Sequence, residues 1–220
     1  MSLPVRVHAE AVTDAKENVV FDLIGERYEK TFVERTEQRR AGEWLLERLP
    51  VRARVLDLGC GTGVPTASQF AEAGVEVVGI DESERMLALA RERVPRARFL
   101  RRDMRELGTD LGEFDAVAAF FSLLMVPRAD IVEMLGEIRR RLRGPRLLVL
   151  SMVYGDFDAF PIAFMGTSMR VSAYPPEQFS EVVRSAGFRI EREWEASAEV
   201  EPGQVERQLF LCAVAESADA

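Results

Sequence analysis

The residues best suited to chemistry stand together at Val55-Leu56-Asp57-Leu58-Gly59-Cys60-Gly61-Thr62-Gly63. One acid lies in an apolar run that leads straight into a loop with glycine at every second position. Glycine lacks a Cβ atom, so the backbone can turn tightly and a ligand can approach the main chain. A strand feeding such a loop, with a helix behind it, is a nucleotide-binding entry of an α/β sheet. Two more acids stand where later strands should end: Asp81 after Ile80, and Asp103 after Arg102. Asp81 lies at the distance downstream where an acid accepts from the two hydroxyls of a ribose. Hydrogen bonds to a charged group contribute roughly 1.5–3 kcal/mol. Asp103, beside the backbone amide of Met104, can read an adenine edge.

The spacing narrows the nucleotide. A dinucleotide fingerprint places its glycines as G-x-G-x-x-G, and here Val64 stands in the third place. An ionised Asp57 would also repel a pyrophosphate docked at the turn. Both features disfavour a nicotinamide oxidoreductase. A ligand with a cationic group is favoured instead, and S-adenosylmethionine carries an ammonium and a sulfonium. Taken singly, Asp57 also suits a helix cap or buried ion pair, and Asp81 and Asp103 suit strand-end turns. Their joint placement at successive strand ends points to one site.

Strands and helices must alternate to hold these residues. Apolar runs predict strands at Arg54–Leu58, Glu76–Ile80, Arg98–Arg101, Phe114–Ala119, Arg146–Met152, Phe188–Trp194 and Arg207–Ala215. Periodicity and caps predict helices at Val64–Ala73, Glu84–Arg93 and Ala129–Leu142, and from Pro175-Pro176 to Gly187. Two more open the chain, one from Thr13-Asp14 to about Val33 and one from about Thr36 to Leu49. The pattern predicts an α/β, Rossmann-like fold with a mostly parallel sheet and helices on both faces. Residues 1–50 form an N-terminal helical cap in this reading, and 51–220 the main domain. Residues 153–173 break the alternation. They hold Tyr154, Phe157, Phe160, Phe164, Met165 and Met169 with Gly155, Pro161 and Gly166, and read as a loop-like insert on the substrate side.

Composition excludes several classes. The net charge is -8 and the pI about 5.0, which argues against nucleic acid, whose phosphates need a basic surface. The basic run Arg139-Arg140-Arg141 ends a helix, where cations complement the dipole. The longest apolar run, Ala116–Val126, is too short to span a bilayer. Cys60 and Cys212 form no Cys-x-x-Cys pair, so neither a disulfide framework nor a metal site is expected. A cytoplasmic protein, monomer or homodimer, is the default.

The motifs VLDLGCGTG, GIDESERMLALAR, RRDM and FDAVAAFFSLLMVP, over Val51–Val153, resemble the class I S-adenosylmethionine-dependent methyltransferases, of the ubiquinone/menaquinone and small-molecule type. The stretches Phe21–Tyr28 and Tyr174–Phe188 resemble the family's cofactor-capping helix and its late helix. The resemblance implies seven strands with the last antiparallel, and S-adenosylmethionine as cofactor. It implies that Gly59 and Gly61, in a loop with Cys60 and Gly63, hold the methionine moiety, with Asp57 reaching its ammonium. It further implies that Asp81 takes the ribose, that Glu82 and Met86 flank the nucleoside, and that Asp103 and Met104 read the adenine. Phe120 would face the reactive end, and Tyr28 would close over it.

Many relatives carry a histidine after the fourth strand, where this chain has Leu124 and Met125. A histidine base is therefore not expected there, and the one histidine, His8, lies near the terminus. Candidate bases come from the insert and its end: Tyr154, Asp156, Asp158 and Tyr174. The expected acceptor is a small, largely apolar metabolite, with O-methylation ahead of N- or C-methylation. The competing expectation is a protein of the same fold that binds the cofactor and catalyses another reaction.

Overall fold

The computed structural model describes residues 20–28, 35–201 and 204–216. Among the described residues there are nine strands: β1 (Arg54–Leu58), β2 (Glu76–Asp81), β3 (Arg98–Arg101), β4 (Phe114–Phe120), β5 (Leu142–Val153), β6 (Phe157–Phe164), β7 (Thr167–Ala173), β8 (Phe188–Glu201) and β9 (Gln204–Ala215). Seven of them form one sheet in the order β3-β2-β1-β4-β5-β9-β8. All neighbours are parallel except β9, which runs antiparallel to β5 and β8. Strands buried on both faces need apolar residues throughout, and every residue of β4 is buried. The order reverses between β1 and β4, the switch point where ligands bind in such sheets.

Among the described residues, the α-helices α1 (Val20–Ile24), α2 (Thr36–Leu46), α3 (Thr66–Glu72), α4 (Glu84–Arg93), α5 (Arg128–Arg141) and α6 (Pro176–Ser185) complete the layers. Side chains alternate across each strand, so the sheet carries two cores. Leu56, Leu58, Val78 and Ile80 meet α1, α5 and α6 through Ile24, Leu135 and Phe179. Val55, Val77, Ala116 and Ala118 meet α2, α3 and α4 through Trp44, Phe70 and Leu87.

Several boundaries differ from expectation. The helix expected over Thr13–Val33 falls partly outside the described residues, as does His8. Within them, α1 stops at Ile24 because Gly25 turns the chain at φ +50°. Helix α2 ends at Leu46 rather than Leu49, and α3 starts at Thr66 with Pro65 at its cap. Strands β8 and β9 run on past the expected Trp194 and Arg207 as one long hairpin. The largest departure is the insert. Residues 153–173 hold a β-hairpin, with Met165 and Gly166 at φ +50° and +78° between Phe164 and Thr167. Two positive φ values are what a two-residue hairpin turn requires. Phe160, Ile162 and Phe164 lie at the period-2 spacing of a strand.

Candidate active site

The glycine loop owes its shape to β2. Gly59 and Cys60 both donate their amides to the Ile80 carbonyl at 2.9 Å, and Gly61 donates to Asp81 Oδ2 at 2.9 Å. Gly59, Gly61 and Gly63 all have positive φ, a conformation that costs glycine little. A Cβ at Gly59 would collide with Ser122, whereas one at Gly61 would meet open space. Asp81 also accepts from the Ser83 amide at 2.9 Å. Burial raises the Asp81 carboxyl, against these amide bonds, which lower it.

Asp57 lies two residues below the loop and is 3 % exposed. Its Oδ2 is buried without a hydrogen-bond partner. Burial, and then the field of Asp81, push its carboxyl up to about 8. An orphaned buried oxygen of this kind costs about 1–3 kcal/mol or more, a cost that a cation or donor arriving at the loop would offset.

A cavity of about 120 Å³ opens above. Nine of the residues expected in the site line it: Tyr28, Gly59, Gly61, Asp81, Glu82, Met86, Asp103, Met104 and Phe120. It shares Glu82, Arg102 and Asp103 with a wider polar hollow of about 590 Å³. Both oxygens of Asp103 meet the Arg105 guanidinium. Burial works to raise the Asp103 carboxyl, and its bonds to Arg105 outweigh it and hold it low. Cys60 and Gly63 stand behind the wall. A Cβ at Gly63 would press on Val94 and Phe99, and the buried Cys60 thiol is held well above its usual range by burial and then by Asp57.

Helix α1 is docked over the cavity through Asp22. Its Oδ1 accepts from Ser83 Oγ at 2.5 Å and from the Arg85 amide at 3.1 Å, at the start of α4. Ser83 in turn caps α4 by accepting from the Met86 amide at 3.1 Å. Tyr28 stands edge-on to Phe21 at 6.0 Å, with the Arg35 guanidinium 5.2 Å from its ring.

The structure brings in residues that the sequence pattern did not single out: Phe21, Phe121, Ser122, Met125 and Arg105. Phe121 has φ +53°, uncommon for a bulky residue. It is held there by its amide, which donates to Ser151 Oγ at 3.0 Å. The repeated apolar run after β4 gave no sign of that turn. Ser122 is 5 % exposed and its Oγ has no partner.

The four candidate bases lie elsewhere. Asp156, Asp158 and Tyr174 gather on Arg128, at the start of α5. Its Nη2 donates to Asp156 at 2.8 Å, its amide to Asp158 at 2.8 Å, and its guanidinium lies 4.4 Å from the Tyr174 ring and donates to the Ala173 carbonyl. Tyr154 lies beneath Arg207 at 4.5 Å, and burial and then Glu195 push its phenol up.

Residues 55–144 match a family model described as a methyltransferase domain. Demethylmenaquinone methyltransferase of Thermus thermophilus is 32 % identical over 185 residues, covering 71 % of this chain and 82 % of that protein. The chain belongs to the class I S-adenosylmethionine-dependent methyltransferases. Trans-aconitate 2-methyltransferase of Variovorax paradoxus is 53 % identical to the methyltransferase over 68 residues, 29 % of this chain and 26 % of that one. Among solved structures, magnesium protoporphyrin IX methyltransferase of Synechocystis with bound S-adenosylhomocysteine (SAH) superposes with a TM-score of 0.67. It is 21 % identical and covers 91 % of this chain and 99 % of that one, a likeness of fold. S-adenosylmethionine is the family's cofactor. The site of this methyltransferase fits it chemically: an orphaned carboxylate oxygen suits an ammonium, and an open glycine turn admits a carboxylate-bearing chain.

Proposed function

We propose that this methyltransferase acts on a small, largely apolar metabolite, with oxygen the favoured acceptor atom. The observation that carries the site is Asp57, whose buried, unpartnered Oδ2 stands under the open turn at Gly61. In this reading Asp57 meets the cofactor ammonium, and Gly59 and Gly61 hold the methionine chain. Asp81 takes the ribose, and Glu82 flanks the nucleoside. Asp81 Oδ2 accepts the Gly61 amide and Oδ1 the Ser83 amide, and a carboxylate has about four lone-pair sites to which a hydroxyl can also donate. Asp103 and the Met104 amide read the adenine, Met86 underlies the nucleoside, Phe120 faces the reactive end, and Phe21 and Tyr28 close over it.

S-adenosylmethionine supplies an activated methyl group on a sulfonium, so the chain's own residues act chiefly by positioning, worth roughly 7–11 kcal/mol. The apolar acceptor is supported by the aromatic wall of Phe21, Tyr28, Phe120 and Phe121. Pockets for small molecules are mostly apolar with a few placed polar groups. The quinone named for the Thermus relative is an acceptor of this kind.

Calorimetry with SAH and with NAD, followed by transfer of labelled methyl from S-adenosylmethionine into a small-molecule extract, tests the reading. Micromolar SAH binding, no NAD binding and label in an organic-soluble product are expected. NAD binding without SAH binding would overturn it, and label only in protein or nucleic acid would overturn the small-molecule acceptor.

A further inference from the structure

The strained turn after β4 carries a polar side chain to the glycine loop. Phe121 has φ +53°, a region that bulky residues rarely enter and whose occupants gather at functional sites. The turn is held from two sides. The Phe121 amide donates to Ser151 Oγ at 3.0 Å and to the Ser151 carbonyl at 3.3 Å, and its ring stands edge-on to Phe210 at 5.7 Å. What the turn delivers is Ser122. A Cβ on Gly59 would lie 2.4 Å from Ser122 Cβ and 3.3 Å from its Oγ, so the absence of a side chain at Gly59 lets Ser122 rest against the loop.

Ser122 lines the cavity together with Gly59 and Phe120. It is 5 % exposed, and its Oγ has no hydrogen-bond partner among the described residues. Its carbonyl accepts the Met125 amide at 3.0 Å, so the backbone closes the turn without help from the hydroxyl. A buried hydroxyl left in this way costs stability unless a ligand meets it. The neighbours set the charge of that ligand group. The Gly59 and Cys60 amides are both given to the Ile80 carbonyl, so neither is left to meet an anion. Asp57, two residues before Gly59, holds a buried carboxylate oxygen that likewise lacks a partner among the described residues. One ammonium has three donors, and so can satisfy both oxygens.

We propose that Ser122 Oγ is the second protein oxygen to receive the cofactor's ammonium, with Asp57 Oδ2 the first, and that the turn at Phe121 serves to place it there. The proposal rests on the S-adenosylmethionine reading of the site and adds a positioning residue to it. Two oxygens on one ammonium fix the amino-acid end of the cofactor in direction as well as in place.

Three ligands test it, each titrated at pH 8 into the full chain and into its Ser122→Ala variant: SAH, its decarboxylated amine, which keeps the ammonium, and 5′-methylthioadenosine, which keeps neither charge. Ser122→Ala is expected to weaken SAH and the amine alike by about tenfold or more, the size of a hydrogen bond to a charged group, and to leave methylthioadenosine within twofold. The melting temperature of the ligand-free variant should be unchanged or raised, because a hydroxyl without a partner contributes nothing to the fold. Unchanged SAH affinity would overturn the proposal. An equal loss for methylthioadenosine, or a lower melting temperature, would mark a structural role and overturn it too. So would a loss for SAH that the amine does not share, which would assign the hydroxyl to the carboxylate, or an amine that the unaltered protein does not bind. Failure of SAH to bind the unaltered protein would instead overturn the cofactor reading, and this proposal with it.

Discussion

A carboxyl group in water gives up its proton near pH 4, but Asp57 is pushed up to about 8 by burial and by Asp81. The sign of the consequence follows from proton linkage. Between about pH 4 and about pH 8 the folded chain holds a proton that the unfolded chain has lost, so stability falls as pH rises through that window. The cofactor ammonium favours the ionised form and reverses the preference. SAH binding should therefore release about one proton at pH 7, measured by calorimetry in buffers of different ionisation enthalpy, and affinity should rise with pH until about 8. Asp57→Asn should abolish the release; a release unchanged in that variant would place the proton elsewhere. Asp81→Ala removes the acceptor for the Gly61 and Ser83 amides, and should weaken SAH at least tenfold. At this scale the acids and glycines were legible, since their chemistry depends on type and spacing. Phe121 and Ser122 were not, because nothing local in Phe120-Phe121-Ser122 announces a left-handed turn.

At the scale of elements, the insert matters more than its composition suggested. Arg128 fastens β6–β7 to the start of α5 through Asp156, Asp158 and the Ala173 carbonyl. The segment just before Arg128 supplies Ser122 and Met125 to the cavity, so the hairpin and the cavity wall share one anchor. Arg128→Ala should raise hydrogen exchange across Phe157–Ala173 by tenfold or more while SAH affinity stays within twofold. Unchanged exchange would show that packing against α1, not the guanidinium, holds the hairpin. The turn at Met165-Gly166 lacks the Asn-Gly signature by which two-residue hairpins are usually recognised, and Pro161, with Gly155 and Gly166, spoke only against one regular helix. A two-stranded ribbon tolerates proline because each strand has an unpaired edge.

At the scale of the whole molecule, one sheet divides two cores, and the site rests on both. Trp44 and Phe179, each fully buried on opposite faces, should each cost about 3–5 kcal/mol on substitution by alanine, as read by urea denaturation. A much smaller loss at either position would mean that its face is not needed for the fold. By itself the sequence determined the α/β class, the succession of strands and helices around the site, the glycine turn and its acids, because these follow from periodicity and from residue type over short separations. Only the tertiary structure decided which distant residues face the cavity. It tied Asp156, Asp158 and Tyr174 to Arg128 instead. These are contacts between residues tens of positions apart, fixed by strand register and layer packing, which no local pattern encodes.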